Sequence, residues 1–336
     1  MIDPVTGFAY PESWVMKCRD EKALALAKCG FGVLTSNGSV LRRGFTTGST
    51  AAAACYAATV SLGGLSIDVS PIMLPCGILA GIPAAGRDGE GSARKFSGDY
   101  PNDITAGILI CAKASPADRI VLEAGEGVGR FVRDTPRYAK GAAAVSPPAK
   151  KEILDAISAA CKVAGICGAS VFLTIPDGRR IGAQTLNPKV GVEGGISVVG
   201  TTGFVEPWDD HLLETVGERI RDAEKVVITT GRIGLRYSRL LFPEYEVVLA
   251  GSKIAEGLTA AEHCANAVIC GLPGLILRFF NPEVATSRGF ATVEEMIAGP
   301  DGKTALDEEL TLAKHNYPWL RMVIIDRSGQ VLGDTL

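Results

Sequence analysis

The stretch NPKVGVEGGISVVGTTGFVEPW, residues 187–208, decides how the rest of the chain is interpreted. Five glycines, at positions 191, 194, 195, 200 and 203, interrupt short β-branched runs such as the valine pair at 198–199. Glycine weakens a strand and often marks a place where another backbone or a ligand approaches closely. This density predicts a ligand-binding surface that is built from backbone groups. A tight barrel corner or a bulge is the alternative explanation.

A further segment, at the start of a predicted helix, is expected to carry free backbone N–H groups. The strand pattern SVLRRGF is followed by a helix, TTGSTAAAACYAATVSLGG, that begins at Thr or Ser and ends at glycine. Hydroxyls and N–H groups at residues 46–50 suit a carboxylate or a phosphate, with ordinary helix capping as the alternative. The tripeptide Thr-Thr-Gly occurs at 46–48, 201–203 and 229–231, each time at a predicted strand or helix end.

The rest of the sequence predicts two parts that differ in their order of strands and helices. Residues 67–133 contain five β-branched runs separated by Gly and Pro, and residues 149–165 form an amphipathic helix. The segment SVFLTIPDGRRIGAQT is predicted to be a hairpin. After residue 208, short apolar strands alternate with helices, the first of them at 211–221, which is typical of a parallel sheet. Ligands of such sheets bind at the carboxyl ends of strands, here residues 229–232, 251–252 and 271–273.

These patterns predict an α/β protein: an α+β N-terminal domain with a mixed sheet, and a smaller Rossmann-like C-terminal domain with a parallel sheet. The predicted boundaries are an N-terminal extension at 1–35, a glycine-rich α/β domain at 36–208 and the Rossmann-like domain at 209–336. Because domain interfaces are favoured places for pockets, the site is expected in the cleft between the two domains.

Composition excludes several classes of function. A net charge of −3 gives no basic surface for nucleic acid, and there is no apolar run of membrane length. The first twenty residues carry five charged side chains, which is unlike a signal peptide. Nine cysteines without a C-x-x-C pair favour a reducing cytoplasm, and three distant histidines do not indicate a metal site.

Acidic residues on glycine-rich turns are the candidate catalytic groups. Asp99 and Asp103 lie on one turn, although on residue type alone capping of that turn is the better explanation. Glu126 lies within GEGVGR, residues 125–130, next to Arg130, and can orient a ligand or accept a proton. This segment has half of a dinucleotide fingerprint but lacks the complete G-x-G-x-x-G followed by a helix.

Three motifs in this order, LRRGFTTGSTAAAA at 41–54, GEGVGR at 125–130 and NPKVGVEGGISVVGTTGFVEP at 187–207, resemble the CbiD family. GDYPNDIT at 98–105 also resembles an acidic run of that family. The C-terminal half departs from the family, because GLPGL at 271–275 stands where a G-H-I-G-K segment is usual, and the T-H-S segment beyond it is also missing.

The resemblance implies methyl transfer from S-adenosylmethionine to C(1) of cobalt-precorrin-5B, giving cobalt-precorrin-6A in anaerobic cobalamin biosynthesis. Cobalt then arrives inside the tetrapyrrole substrate, so that the protein itself needs no metal site. Many substrate carboxylates would be held by N–H groups, hydroxyls and arginines. The candidate bases are Asp99, Asp103, Glu126, Glu193 and Glu206. The candidate substrate- or donor-binding residues are Arg43, Thr46, Thr47, Gly48, Ser49, Gly125, Gly127, Gly129, Arg130, Asn187, Glu193, Gly194, Gly195, Ser197, Gly200, Thr201, Thr202 and Gly203.

Two other functions stay open at this point. One is a nucleotide-dependent kinase or transferase that holds phosphates at the helix start, residues 47–50, although no G-x-x-x-x-G-K-[ST] motif is present. The other is a non-catalytic tetrapyrrole-binding protein, which the C-terminal departures suggest. A homo-oligomer is possible under each reading.

Overall fold

The computed structural model describes residues 1–100, 103–207, 216–221, 223–251 and 253–336. The part up to residue 207 contains these helices and strands: α1 Glu12–Lys17, α2 Glu21–Lys28, β1 Gly32–Leu34, β2 Val40–Arg42, β3 Gly44–Phe45, α3 Thr47–Ser61, β4 Ile67–Met73, β5 Leu79–Arg87, β6 Glu90–Arg94, β7 Leu109–Ala117, β8 Val121–Ala124, β9 Gly127–Val128, β10 Arg130–Phe131, α4 Pro147–Ala164, β11 Gly168–Thr174, α5 Gly178–Gly182, β12 Val192–Glu193, β13 Gly195–Ile196 and β14 Phe204–Val205.

A six-stranded mixed sheet organises this part, in the order β4-β5-β6-β7-β11-β8. All its pairings are antiparallel except that of β11 with β8. Helix α3 packs on the sheet and against α4, and all its residues are buried. The helix and the sheet approach so closely that a Cβ on Gly91 of the sheet would meet the backbone of Ala54, and the alanines of α3 leave room for this approach. Small residues on both surfaces therefore set the distance between helix and sheet.

The part from residue 216 onwards contains α6 Val216–Arg221, β15 Lys225–Thr229, α7 Gly231–Leu241, β16 Glu246–Leu249, α8 Ile254–Ala261, β17 Asn266–Gly271, α9 Pro273–Phe280, α10 Val293–Ala298, α11 Gly302–Asn316, β18 Leu320–Ile325 and β19 Val331–Asp334. The sheet order is β16-β15-β17-β18-β19, in which only β19 is antiparallel to its neighbour. Numbered along the chain, this is the doubly wound order 2-1-3-4-5. Helix α7 shares a core with one face of the sheet, and α8 to α11 share a core with the other.

The N-terminal segment packs mainly on the second sheet. Tyr10, Trp14 and Leu34 share a buried core with Val227 and Val268 of the parallel strands. This segment is therefore part of the α7 layer as well as a neighbour of the first part. Within the described ranges, no helix combines the length and apolarity that a membrane crossing requires.

The structure confirms the predicted α/β class, with a mixed sheet first and a parallel sheet second. The predicted hairpin at residues 170–185 is wrong, because β11 is followed by the short helix α5 and not by a second strand. Gly178 begins this helix, and a Cβ on it would meet the carbonyl oxygen of Gly127. The turn itself is present, because the N–H of Gly178 donates to the carbonyl oxygen of Ile175 at 2.7 Å, but it leads into a helix. The first residues of the helix predicted at 211–221, and Ser252 of one predicted strand end, lie outside the described residues.

Candidate functional site

The three sequence motifs meet through short strands. β13 runs parallel to β9, and β12 runs antiparallel to β10 with Arg130 opposite Glu193. β14 pairs with β3, which leads directly into α3. The segments that lie far apart in sequence, near residues 45, 128 and 196, therefore form one continuous region.

Many glycines of this region are required by the protein's own backbone. A Cβ on Gly127 would meet the carbonyl oxygen of Ile175, and a Cβ on Gly195 would meet that of Gly127. A Cβ on Gly200 would meet the hydroxyl of Thr46. Gly194 differs, because it has a φ of 75° and no atom within 4 Å of the position of its missing Cβ. The tight-packing explanation accounts for the first three, and only Gly194 faces open space.

A cavity of about 410 Å³ opens beside this junction. Its wall is formed by Gly125, Glu126, Gly127, Val128, Arg130, Arg179, Glu193 and Gly194. All but Val128 and Arg179 are candidates from the sequence. The cavity lies within the first part of the chain and is not formed between the two parts.

The cavity presents charges of both signs. Glu126 and Glu193 are exposed to it, and neither forms an ion pair with a residue that the structure describes. Arg130 donates to the carbonyl oxygens of Gly141 and Ala124, at 3.0 and 2.7 Å. Arg179 has no such partner within the described ranges, so that its guanidinium can reach a ligand. Acids and arginines around an open cavity suit a ligand that carries carboxylates and a transferable proton.

The start of α3 is occupied by the protein itself. Thr47 donates its hydroxyl to the carbonyl oxygen of Ser197 at 3.0 Å, and the N–H of Gly48 donates to Val199 at 3.0 Å. Ser49 donates to the carbonyl oxygen of Gly203 at 2.9 Å, and the whole turn is buried. The structure therefore does not support the prediction that Thr46, Thr47, Gly48 and Ser49 bind an anion. The kinase alternative loses its phosphate site for the same reason.

Arg43 is not available to a ligand either. Its side chain is fully buried and pairs with Asp3 at 2.7 Å and with Glu206 at 2.8 Å. It also donates to the carbonyl oxygens of Gly30 and Gly32. This arrangement corrects two expectations, because Arg43 and Glu206 stabilise each other and join the N-terminal segment to the end of the glycine-rich stretch.

The acids of residues 98–103 also have structural partners. Asp99 accepts from the backbone N–H of Arg42 at 2.8 Å and pairs with its guanidinium at 3.0 Å. Asp103 pairs with the buried Lys95 and accepts a hydrogen bond from Ser97. Burial alone would raise the pKa of Asp103, but the charge of Lys95 and these hydrogen bonds hold it below its usual range. A carboxylate stabilised in this way is a weak base, which corrects the expectation that Asp103 is catalytic. Residues 101 and 102 lie outside the described ranges.

The other polar candidates are divided between the protein and solvent. Asn187 donates to the carbonyl oxygen of Gly195 at 3.2 Å and accepts from Ser197 at 2.9 Å, so both hold the loop. Thr202 caps the turn that leads to Phe204, whereas Thr201 is exposed. Of this group only Thr201 is free to contact a ligand directly.

Sequence reasoning missed a buried acid next to the α3 start. Glu152 of α4 is 4% exposed, and neither of its carboxyl oxygens has a hydrogen-bond partner among the described residues. Burial raises its pKa to about 7, and the nearby hydroxyl of Ser49, which donates to the carbonyl oxygen of Gly203, offsets this rise only in part. The amphipathic pattern of α4 does not single out this residue, and the packing of α3 against α4 is what buries it.

Comparison with known proteins agrees with this arrangement of motifs. The sequence pattern of the CbiD family matches residues 34–207. The chain is 50% identical to the cobalt-precorrin-5B C(1)-methyltransferase of Methanoregula boonei over 336 residues, which is 100% of both chains. It is 50% identical to the protein of the same name from Methanoculleus marisnigri, covering 99% of each chain. A crystal structure of the cobalamin biosynthesis protein cbiD from Archaeoglobus fulgidus is 35% identical and covers 86% of this chain and 98% of that one, with a TM-score of 0.57.

Proposed function

Because the chain belongs to the CbiD family, we propose that it is an S-adenosylmethionine-dependent methyltransferase acting on C(1) of cobalt-precorrin-5B. The observation that carries this proposal is the 50% identity to full-length relatives of that name. Such identity over the whole chain outweighs the C-terminal departures, which gave weight to a non-catalytic protein. Cobalt enters only as part of the substrate.

We assign the cavity beside Gly194 to the tetrapyrrole. Its acetate and propionate side chains need positive partners, and Arg179 supplies a guanidinium that no described residue occupies. Gly194 leaves the backbone open to a flat ligand, since no atom lies within 4 Å of its missing Cβ. A cavity of about 410 Å³ holds one edge of so large a ring, and the rest of the ring remains outside it.

We assign proton transfer to Glu126 or Glu193. Both line the cavity and have no ionic partner within the described ranges, unlike Asp99, Asp103 and Glu206. The donor, when bound, supplies a methyl group activated by a sulfonium. The ring carbon takes this methyl group while S-adenosylhomocysteine leaves, and the macrocycle then loses a proton. The protein's task is to align the ring carbon with the methyl group and to accept that proton.

Anaerobic incubation of the purified chain with S-adenosylmethionine and cobalt-precorrin-5B tests the proposal. The product should be heavier than the substrate by one methyl group in place of hydrogen. Arg179→Gln should raise the KM for the tetrapyrrole roughly tenfold, because a charged hydrogen bond contributes about 1.5–3 kcal/mol. Glu126→Gln and Glu193→Gln are compared for kcat, and loss of the true base should cost about 10²-fold or more.

Arg180→Gln is the matched control, because Arg180 is adjacent and exposed but pairs with Asp177. Unmethylated tetrapyrrole recovered with the wild-type protein would contradict the enzymatic proposal and favour a binding protein. Within this proposal we place the protein in a reducing compartment, since all nine cysteines are unpaired. A homo-oligomer stays a prediction.

A further inference from the structure

The carboxyl edge of the parallel sheet contains a second place for a ligand. Strand β15 lies beside β17, and the chain leaves their ends in opposite directions, toward β16 and toward β18. In doubly wound sheets the crevice outside this point of reversal is where ligands bind. Here the crevice is bordered by the segment 229–234 and by the segment 271–275.

Two helices begin at this crevice with uncapped N-termini. Helix α7 starts at Gly231 and has 11 residues, and α9 starts at Pro273 and has 8. Neither Thr230 nor Leu272, which precede them, provides a side-chain cap. The first N–H groups of both helices are therefore left to solvent or to a ligand, and the helix dipoles favour a negative group there.

A buried hydroxyl at the same place has no partner. Thr229, the last residue of β15, is 0% exposed, and its Oγ1 forms no hydrogen bond within the described ranges. It lies beside Gly234 of the first turn of α7, and a Cβ on Gly271 would be 3.6 Å from it. A buried hydroxyl without a partner destabilises the fold, and a ligand at the helix start can relieve this cost.

The surroundings are not purely anion-binding. A Cβ on Gly274 would be 3.3 Å from a carboxylate oxygen of Glu294, which lies at the N-terminal end of α10. Leu275 on α9 is 57% exposed, and Gly231 has open space around it. A simple anion such as phosphate is opposed by Glu294. A ligand with a carboxylate, an ammonium or hydroxyl group, and an apolar ring meets all three features.

We propose that this crevice binds the methyl donor, an adenosyl amino acid. The N–H groups at the starts of α7 and α9, with the hydroxyl of Thr229, hold its carboxylate. Glu294 accepts from its ammonium group or ribose hydroxyls, and Leu275 covers the base. This inference rests on the proposed function, and it requires the corrinoid to reach from the cavity beside Gly194 to the crevice.

Calorimetric titration of the full chain with S-adenosylhomocysteine tests the assignment. Thr229→Val keeps the shape and removes the unpartnered hydroxyl, so stability in urea should stay equal or rise. Glu294→Gln changes an exposed side chain and cannot disturb the core. Each variant should weaken binding about tenfold, whereas Thr174→Val, at the end of a strand in the other sheet, should leave it unchanged.

The outcomes separate this inference from the proposed function. Weaker binding by both variants with Thr174→Val unaffected supports the crevice. Unchanged binding by Thr229→Val and Glu294→Gln overturns the assignment but leaves the methyltransferase proposal standing. No binding by the wild-type chain, with and without a polycarboxylated cobalt corrinoid, overturns both.

Discussion

Replacing Glu152 by Gln should stabilise the protein above neutral pH and leave it unchanged in acid. The carboxyl group lies between α3 and α4, 4% exposed and without a hydrogen-bond partner among the described residues. The folded protein therefore prefers the protonated form, and burial raises the pKa to about 7 from an ordinary value of 4.5. Gln has nearly the same shape and carries no charge at any pH.

The sign and size follow from proton linkage. A group whose pKa is raised on folding contributes stability below its unfolded pKa, and that contribution is lost as pH rises through the folded value. Here the loss runs from about pH 4.5 to pH 7. At 1.36 kcal/mol per pKa unit the complete loss is about 3 kcal/mol, so Glu152→Gln should gain up to that amount at pH 8.

Urea unfolding followed by circular dichroism at pH 4.5, 5.5, 6.5 and 8 measures the effect. The difference in unfolding free energy between variant and wild type should grow with pH and level off above 7. Asp155→Asn on the same helix is the control, because Asp155 is exposed and pairs with Lys151, an arrangement worth at most about 0.5 kcal/mol. A difference that is constant across this range would refute the buried-acid argument.

Two stability predictions concern the junction itself. Arg43→Met should cost about 3–5 kcal/mol, because the buried carboxylate of Asp3 loses its guanidinium partner. Arg42→Gln should cost less than about 1 kcal/mol, because the side chain of Arg42 is 55% exposed; equal urea midpoints for the two variants would contradict this. Gly182→Ala should cost about 2 kcal/mol or more, because the new Cβ would meet the carbonyl oxygen of Gly195. Gly217→Ala is the control, since a Cβ there has open space in a helix and should be neutral or stabilising. Thermal unfolding compares the two variants, and an unchanged melting temperature for Gly182→Ala would disprove the close approach.

Elements with strong local signals were predictable from the sequence. The helix α3 has a Thr N-cap and an alanine run, and β4 contains the β-branched residues Ile67, Val69 and Ile72. These signals are local, so the chain near each element is enough to specify it. The hairpin prediction failed because Pro-Asp-Gly occurs in hairpin turns and also before helices. Only the contact of Gly178 with Gly127, far away in sequence, distinguishes the two.

The candidate site was less predictable, because a polar side chain does not reveal its partner. Arg43 and Thr47 have the right chemistry for a ligand, but Asp3 and the backbone of Ser197 occupy them. Both partners are more than thirty residues away in sequence. Glu126 and Arg130 were predicted because their segment leaves few other reasons for a charge among glycines. Both line the cavity, and their roles there stay predictions.

The three Thr-Thr-Gly tripeptides also differ in whether the protein itself satisfies their polar groups. The first two satisfy each other, because the N–H of Thr46 donates to the carbonyl oxygen of Gly203 across the junction. The third stands alone at the end of β15, where the Oγ1 of Thr229 has no partner among the described residues and Gly231 faces open space. The same tripeptide thus has hydrogen-bonding groups that the protein itself satisfies at the junction and a hydroxyl that stays unsatisfied at the end of β15. Buried polar groups in folded proteins are normally paired, so the unsatisfied copy is the one that a ligand is expected to complete.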